Sequence, residues 1–164
     1  MKKTFFAATA LAVLLGVTSC GGPTDSDPTR PASSTPVQEK PSDPVAAVGY
    51  GLDIDNLESK KNDDALHLQF NIRDEKRMYL TVDKAQQDTI DLLRATSESG
   101  VEYDRVFVQG MMPTTDKEGN TKPSMVLNAV YDKDTVEKIN FDGVKKDNIW
   151  ELRDSGSVHK DLHK

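Results

Sequence analysis

Six of the eight prolines in this chain, Pro23, Pro28, Pro31, Pro36, Pro41 and Pro44, fall between Gly21 and Pro44. Around them stand Ser, Thr, Asp and Gly, with scarcely an apolar side chain. A segment of that composition cannot bury enough surface to offset its chain entropy and reads as a disordered linker. Fully extended as polyproline it would reach at most about 74 Å, at ~3.1 Å per residue. The core must therefore come from Val45–Lys164, a stretch large enough for a single domain. The lone cysteine, Cys20, lies outside that stretch, so packing has to hold the fold without a disulfide.

Within Val45–Lys164 the apolar pattern changes period. Leu66, Leu68, Phe70 and Ile72 alternate with His67, Gln69, Asn71 and Arg73, which predicts a half-buried strand. From Val82 to about Ser99 the spacing becomes helical. Val82, Ala85, Thr89, Ile90, Leu93 and Thr96 share a stripe, Asp83, Lys84, Gln87, Asp88, Asp91 and Arg94 are expected in solvent, and Gly100 supplies the stop. Two strands, Tyr103–Met111 and Met125–Tyr131, flank the turn chemistry of Asp116-Lys-Glu-Gly-Asn120. Asp134 and Glu137 have the spacing of a capping box and predict a short helix ending near Asn140–Gly143. A further early strand is expected around Ala47–Ile54. Ile149, Trp150 and Leu152 form a last apolar cluster before a polar tail. The fold class expected is α+β: a small antiparallel sheet of three to four strands with two helices on one face, preceded by the disordered linker.

The motifs of catalysis are missing. No Gly-x-Ser-x-Gly elbow or His-Glu-x-x-His occurs, and the three histidines, His67, His159 and His163, are scattered over one strand and the tail. His159 and His163 have i, i+4 spacing with Asp161 nearby, but they are flanked by Lys160 and Lys164 and read as solvated rather than as a zinc site. Asp53-x-Asp55-Asn56 and Asp132-x-Asp134 do not continue into a calcium loop. No metal or cofactor is expected. Surface recognition remains. Trp150, Tyr79, Met78, Met111 and Met112 are the candidate interface residues, because Trp and Tyr anchor interfaces and methionine adapts to varied partners. Of the adjacent pair Met111 and Met112 only one can face inward on a strand, and Pro113 marks an edge or an end.

The N-terminus carries an address. Lys2 and Lys3 precede an apolar run from Phe5 to Val17, too short for the ~20 residues of a membrane span and shaped like a secretory signal. Val17-Thr18-Ser19-Cys20 at its end resembles the lipobox of bacterial lipoproteins. That resemblance implies a signal peptide over 1–19, a diacylglyceryl thioether on Cys20 and further acylation (palmitate or similar) of the new amine. It implies a lipid anchor at the outer, extracytoplasmic face of the cell membrane, with residues 20–44 as tether and 45–164 as the globular domain. A thiolate suits thioether formation, and two or three acyl chains anchor far better than one, at about 0.8 kcal/mol per buried methylene. Removing residues 1–19, with two lysines and no acids, takes the formal charge from −6 to −8. An acidic surface disfavours nucleic acid as a partner.

Residues from Asp88 through Asp116-Lys-Glu-Gly-Asn120 to Phe141-Asp142 also resemble, loosely, small secreted or lipid-anchored proteins of high-GC Gram-positive bacteria and their phages. A phage origin would imply superinfection exclusion, in which a tethered domain blocks an incoming phage component. Taken together these readings favour a non-enzymatic binding module with a protein partner at the cell envelope. A small-molecule or substrate-binding lipoprotein is the alternative, for which so small a domain is expected to leave little room.

Overall fold

Leu66, Leu68 and Phe70 carry the alternation of the sequence directly into the structure, with no exposed surface on any of the three. In the computed structural model, which describes residues 40–163, they lie on β2 (Ala65–Asn71), the second strand of a five-stranded sheet ordered β1-β2-β3-β4-β5. β1 is Glu58–Asn62, β3 Arg105–Thr115, β4 Thr121–Asp132 and β5 Ser155–Val158. The helices are α1 (Pro44–Ala47), α2 (Met78–Ser99), α3 (Lys133–Lys138) and α4 (Lys146–Ile149). A 3₁₀ turn, Lys160–Leu162, ends the described residues, all of which belong to the compact unit Gln38–Lys164. The expected signal peptide, Cys20 and most of the expected linker lie outside the described residues.

The α+β class holds, but the sheet is mixed rather than antiparallel, and it has more strands and helices than expected. β2 pairs β3 in parallel, Leu66 opposite Val106 and Leu68 opposite Val108. The remaining neighbours are antiparallel. The reason is the connection: α2 carries the chain back along the sheet, so β3 starts from the same end as β2. β1 and β5 escaped notice because Glu58-Ser-Lys-Lys-Asn62 and Ser155-Gly-Ser-Val158 are nearly devoid of apolar residues. Both are edge strands, where charged and polar side chains are the rule.

Four local expectations are corrected. No strand forms at Ala47–Ile54. Instead Asp43 accepts a hydrogen bond from the Val45 N–H at 3.0 Å and caps α1. Pro44, counted as linker, occupies its first turn, and Gly49 and Gly51 turn the chain at positive φ. α2 begins at Met78, a turn earlier than Val82. The buried Thr81 hydroxyl there reaches back to accept from the Glu75 N–H at 2.9 Å. α3 starts at Lys133 with Asp132 at its N-cap, so Asp134 and Glu137 form no capping box. Asp88, expected in solvent, is buried on α2 and paired with Lys84 at 2.5 Å. Burial pushes its carboxyl up, and the ammonium partly offsets that.

One face of the sheet is core. Val106, Val108, Leu127, Ala129 and Tyr131 join the β2 residues there without exposed surface. α2 contacts β3, and α1, α3 and α4 each contact α2. Gly100, at φ 77°, ends α2 in the left-handed conformation expected of a stop glycine. On the opposite face His67 and Phe107 are half-buried and stack at 4.5 Å between ring centroids.

Candidate functional site

β3 and β4 outrun their neighbours. β2 ends opposite Met111, and β5 covers β4 only from Leu127 to Val130. The remainder, Met112–Thr115 paired with Thr121–Ser124, forms a two-stranded arm. Its tip is tied by Asp116, whose carboxylate accepts from the backbone N–H groups of Asn120 at 2.8 Å and Glu118 at 3.1 Å. Those bonds, that from Asn120 foremost, hold the Asp116 carboxyl below the usual carboxylate range. Along the arm Thr114 and Ser124 share a hydrogen bond at 2.7 Å, and Thr115 and Thr121 one at 3.0 Å.

Where the arm leaves the sheet, the register slips between Gly110 and Met111, which pair with Leu127 and Met125. Val126 is the extra residue of this β-bulge. The slip explains why Val126 and Leu127 are both buried while Met125 is 47% exposed. It also separates the methionine pair. Met112 packs against the core, whereas Met111 pairs with Met125; both border a smaller cleft of about 280 Å³ beside Arg73 and Pro123. Only one of the two faces the core, as their adjacency requires.

A cleft of about 580 Å³ opens at this end of the sheet. Its walls are Met78 from the first turn of α2, Met112–Thr115 and Ser124–Val126 from the arm, and His159–Leu162 from the C-terminal segment. The last is held in place by a hydrogen bond from the His159 N–H to the Val126 carbonyl at 2.7 Å. On the first turn of α2 that contributes Met78 to the cleft, Met78, Tyr79 and Leu80 are exposed in succession at 43%, 53% and 40%.

Of the candidate interface residues, Met78 and Met112 line the cleft, and Tyr79 is exposed next to Met78 in the first turn of α2. Met111 is absent from the cleft's lining and borders the smaller one, and Trp150 is elsewhere. Trp150 is buried in the core, where its indole N–H donates to the Thr89 hydroxyl at 3.1 Å, so it offers no interface anchor. Sequence reasoning missed Met125 and His159 as cleft residues. The bulge that exposes Met125 leaves no mark in the apolar alternation, and His159 reaches the cleft through the pairing of β5.

Other acidic residues have structural partners. Arg73 donates to both carboxylate oxygens of Asp53, at 2.7 and 3.0 Å, and to Asp55 at 3.1 Å. This holds the Asp53 carboxyl below its ordinary range. Nε2 of His163 sits 3.2 Å from the Val158 carbonyl. Among the described residues, no group of three or more His, Cys, Asp or Glu side chains is placed to hold a metal. Tyr131, fully buried, donates its hydroxyl to the Ile149 carbonyl at 2.9 Å, and burial pushes its phenol up. No helix among the described residues is long and apolar enough to cross a membrane.

Compared with known proteins, the chain matches no family model, no curated protein and no solved structure.

Proposed function

We propose that this chain is a lipid-anchored extracytoplasmic protein, held at the membrane through Cys20, whose domain binds a protein partner at the cell envelope without catalysing a reaction. The observation that carries this reading is the clustering of exposed apolar side chains. Met78, Tyr79 and Leu80 are consecutive, and Met125 lines the same cleft as Met78. Exposed apolar side chains gathered on one helical turn beside a cleft are what protein interaction sites present. Support for a non-catalytic role comes from the perturbed groups. Asp88, Tyr131 and Tyr103 are shifted by burial, and Asp53 and Asp116 by local hydrogen bonds; none of them lines the cleft.

The test is crosslinking in the native host. The anchored chain would be recovered from membranes beside a copy in which residues 45–164 are replaced by an unrelated domain. A protein captured only by the native domain, and lost on Tyr79→Ser with Leu80→Ser, supports the reading; a phage component as that protein would make the role superinfection exclusion. Equal capture by both copies overturns it. The anchor is tested separately, since Cys20→Ala should abolish labelling by a lipid precursor while the domain stays folded. A second reading, a small-ligand lipoprotein, is favoured by the cleft itself, whose volume lies within the range of about 300–1,000 Å³ typical of ligand sites.

A further inference from the structure

Gln86 stands on the buried stripe of α2, 5% exposed, with Val82 one turn before it and Ile90 one turn after. Its Oε1 is the one buried side-chain polar atom among the described residues without a hydrogen-bond partner. An unpaired amide in a core costs stability that an apolar residue of similar size would not. Yet Gln86 also lines a cleft of about 430 Å³, which shares only Leu162 with the cleft at the hairpin arm. That volume falls within the range of about 300–1,000 Å³ typical of ligand sites.

The rest of the lining supplies apolar walls and charges of both signs. Trp150, Val158 and Leu162 are the apolar part. The indole N–H of Trp150 is already spent on Thr89, so its ring alone is left for packing. Arg153 is half-buried, donates to the Trp150 carbonyl and forms no ion pair with a described residue. Arg73, Arg94 and Arg105, by contrast, each hold an aspartate. A guanidinium presents five N–H donors in a fixed fork that matches a carboxylate. Asp147 and Glu151 add negative charge to the same lining. They would repel a simple anion, and Arg153 a simple cation; a small molecule carrying both charges suits the set.

We propose that this cleft binds a zwitterionic amino acid with an apolar side chain. Its carboxylate meets Arg153, its ammonium donates to Gln86 Oε1 on the side of Asp147 and Glu151, and its side chain packs on Trp150, Val158 and Leu162. The ligand thus brings the donor that the fold does not supply to Gln86. None of these residues belongs to the exposed turn Met78–Leu80, so the site holds whether or not that turn binds a protein.

The experiment uses the full chain carrying Cys20→Ser, which leaves no thiol for a lipid. Trp150 is the only tryptophan and lines the cleft, so its fluorescence reports occupancy directly. The probes are L-leucine, L-isoleucine and L-phenylalanine, beside N-acetyl-leucine, which lacks the ammonium, and leucinamide, which lacks the carboxylate. The expected result is a saturable change with at least one of the three amino acids, at one per chain. N-acetyl-leucine and leucinamide should each bind about tenfold or more weakly than L-leucine, having lost a charged hydrogen bond. Gln86→Leu should weaken binding about tenfold or more while its thermal midpoint stays at or above the parent's, because the unpaired amide is gone. Arg153→Lys keeps the charge without the fork and should also weaken binding; Gln86→Leu carries the test should that variant fail to fold. Met78→Leu, in the other cleft, should bind like the parent. No saturable change with any of the three amino acids, equal binding of L-leucine and its two derivatives, or parent-like binding by Gln86→Leu overturns the site.

Discussion

Trp150 donates its indole N–H to the hydroxyl of Thr89 at 3.1 Å, and that hydroxyl donates in turn to the Ala85 carbonyl at 2.8 Å. The relay satisfies two buried polar groups and pins the segment after α4 to the middle of α2. Thr89→Val keeps the shape but leaves the indole N–H unpaired in the core, and should cost about 1–3 kcal/mol. Thr89→Ser should stay closer to the parent. Trp150 is the only tryptophan, so its fluorescence reports the unfolding transition directly. Equal midpoints for the valine and serine variants would remove the hydrogen bond from the account.

A second pair predicts a pH signature. Asp88 is buried and Lys84 reaches it at 2.5 Å. Because folding raises the Asp88 pKa, this group's contribution to stability is fully present below its unfolded value near 3.8 and is lost as pH rises through the raised folded value. Lys84→Met strands the carboxylate and should cost about 1–3 kcal/mol at pH 7. The deficit should shrink as acid protonates Asp88, while Asp88→Asn should flatten this part of the profile. Urea unfolding from pH 4 to 7 measures it; a deficit in Lys84→Met that stays constant over that range would contradict the pairing.

The prolines of the arm act on its edges. Pro113 and Pro123 face each other across the hairpin, and neither has an N–H to give. Two opposed prolines fit only a non-hydrogen-bonded pair, so the missing donors point outward on both edges. The Met111 carbonyl, two residues away and also outward, is the acceptor of the Ile72 N–H at 2.8 Å, which agrees with that parity. Outward prolines block strand addition. Pro113→Val with Pro123→Val should therefore increase concentration-dependent self-association relative to the parent, read by sedimentation. Unchanged sedimentation would mean the edges are protected by something else.

Gly156 sits at φ 98° where β5 crosses β4, and a Cβ there would lie 2.0 Å from the Asn128 carbonyl oxygen. Gly156→Ala should cost about 1–3 kcal/mol or more through backbone strain and displacement. The loss should appear first in the segment it anchors. Amide exchange of His159, bonded to the Val126 carbonyl, should accelerate far more than that of Leu68. Uniform acceleration would argue for a global effect instead.

Much of the framework was legible because it follows from local periodicity. The strand of Leu66, Leu68 and Phe70, the end of α2 at Gly100 and the turn at Asp116–Asn120 each depend on neighbouring residues only. β1 and β5 were not legible, since edge strands are specified by the partner that receives them and their own residues are polar. The parallel pairing of β2 with β3 was implicit in a strand–helix–strand order but not in any motif.

The cleft divides the same way. Sequence alone determined that four methionines follow Met1, that one of Met111 and Met112 must turn from the core, and that no cysteine was left to staple the domain. Tertiary structure alone decided that Trp150 is core, that Asp88 is buried, and that Met78, Met112 and His159 share one cleft. Those outcomes depend on a one-residue bulge and on which strand β5 joins. Both are set by long-range packing, which a chain's local pattern does not encode.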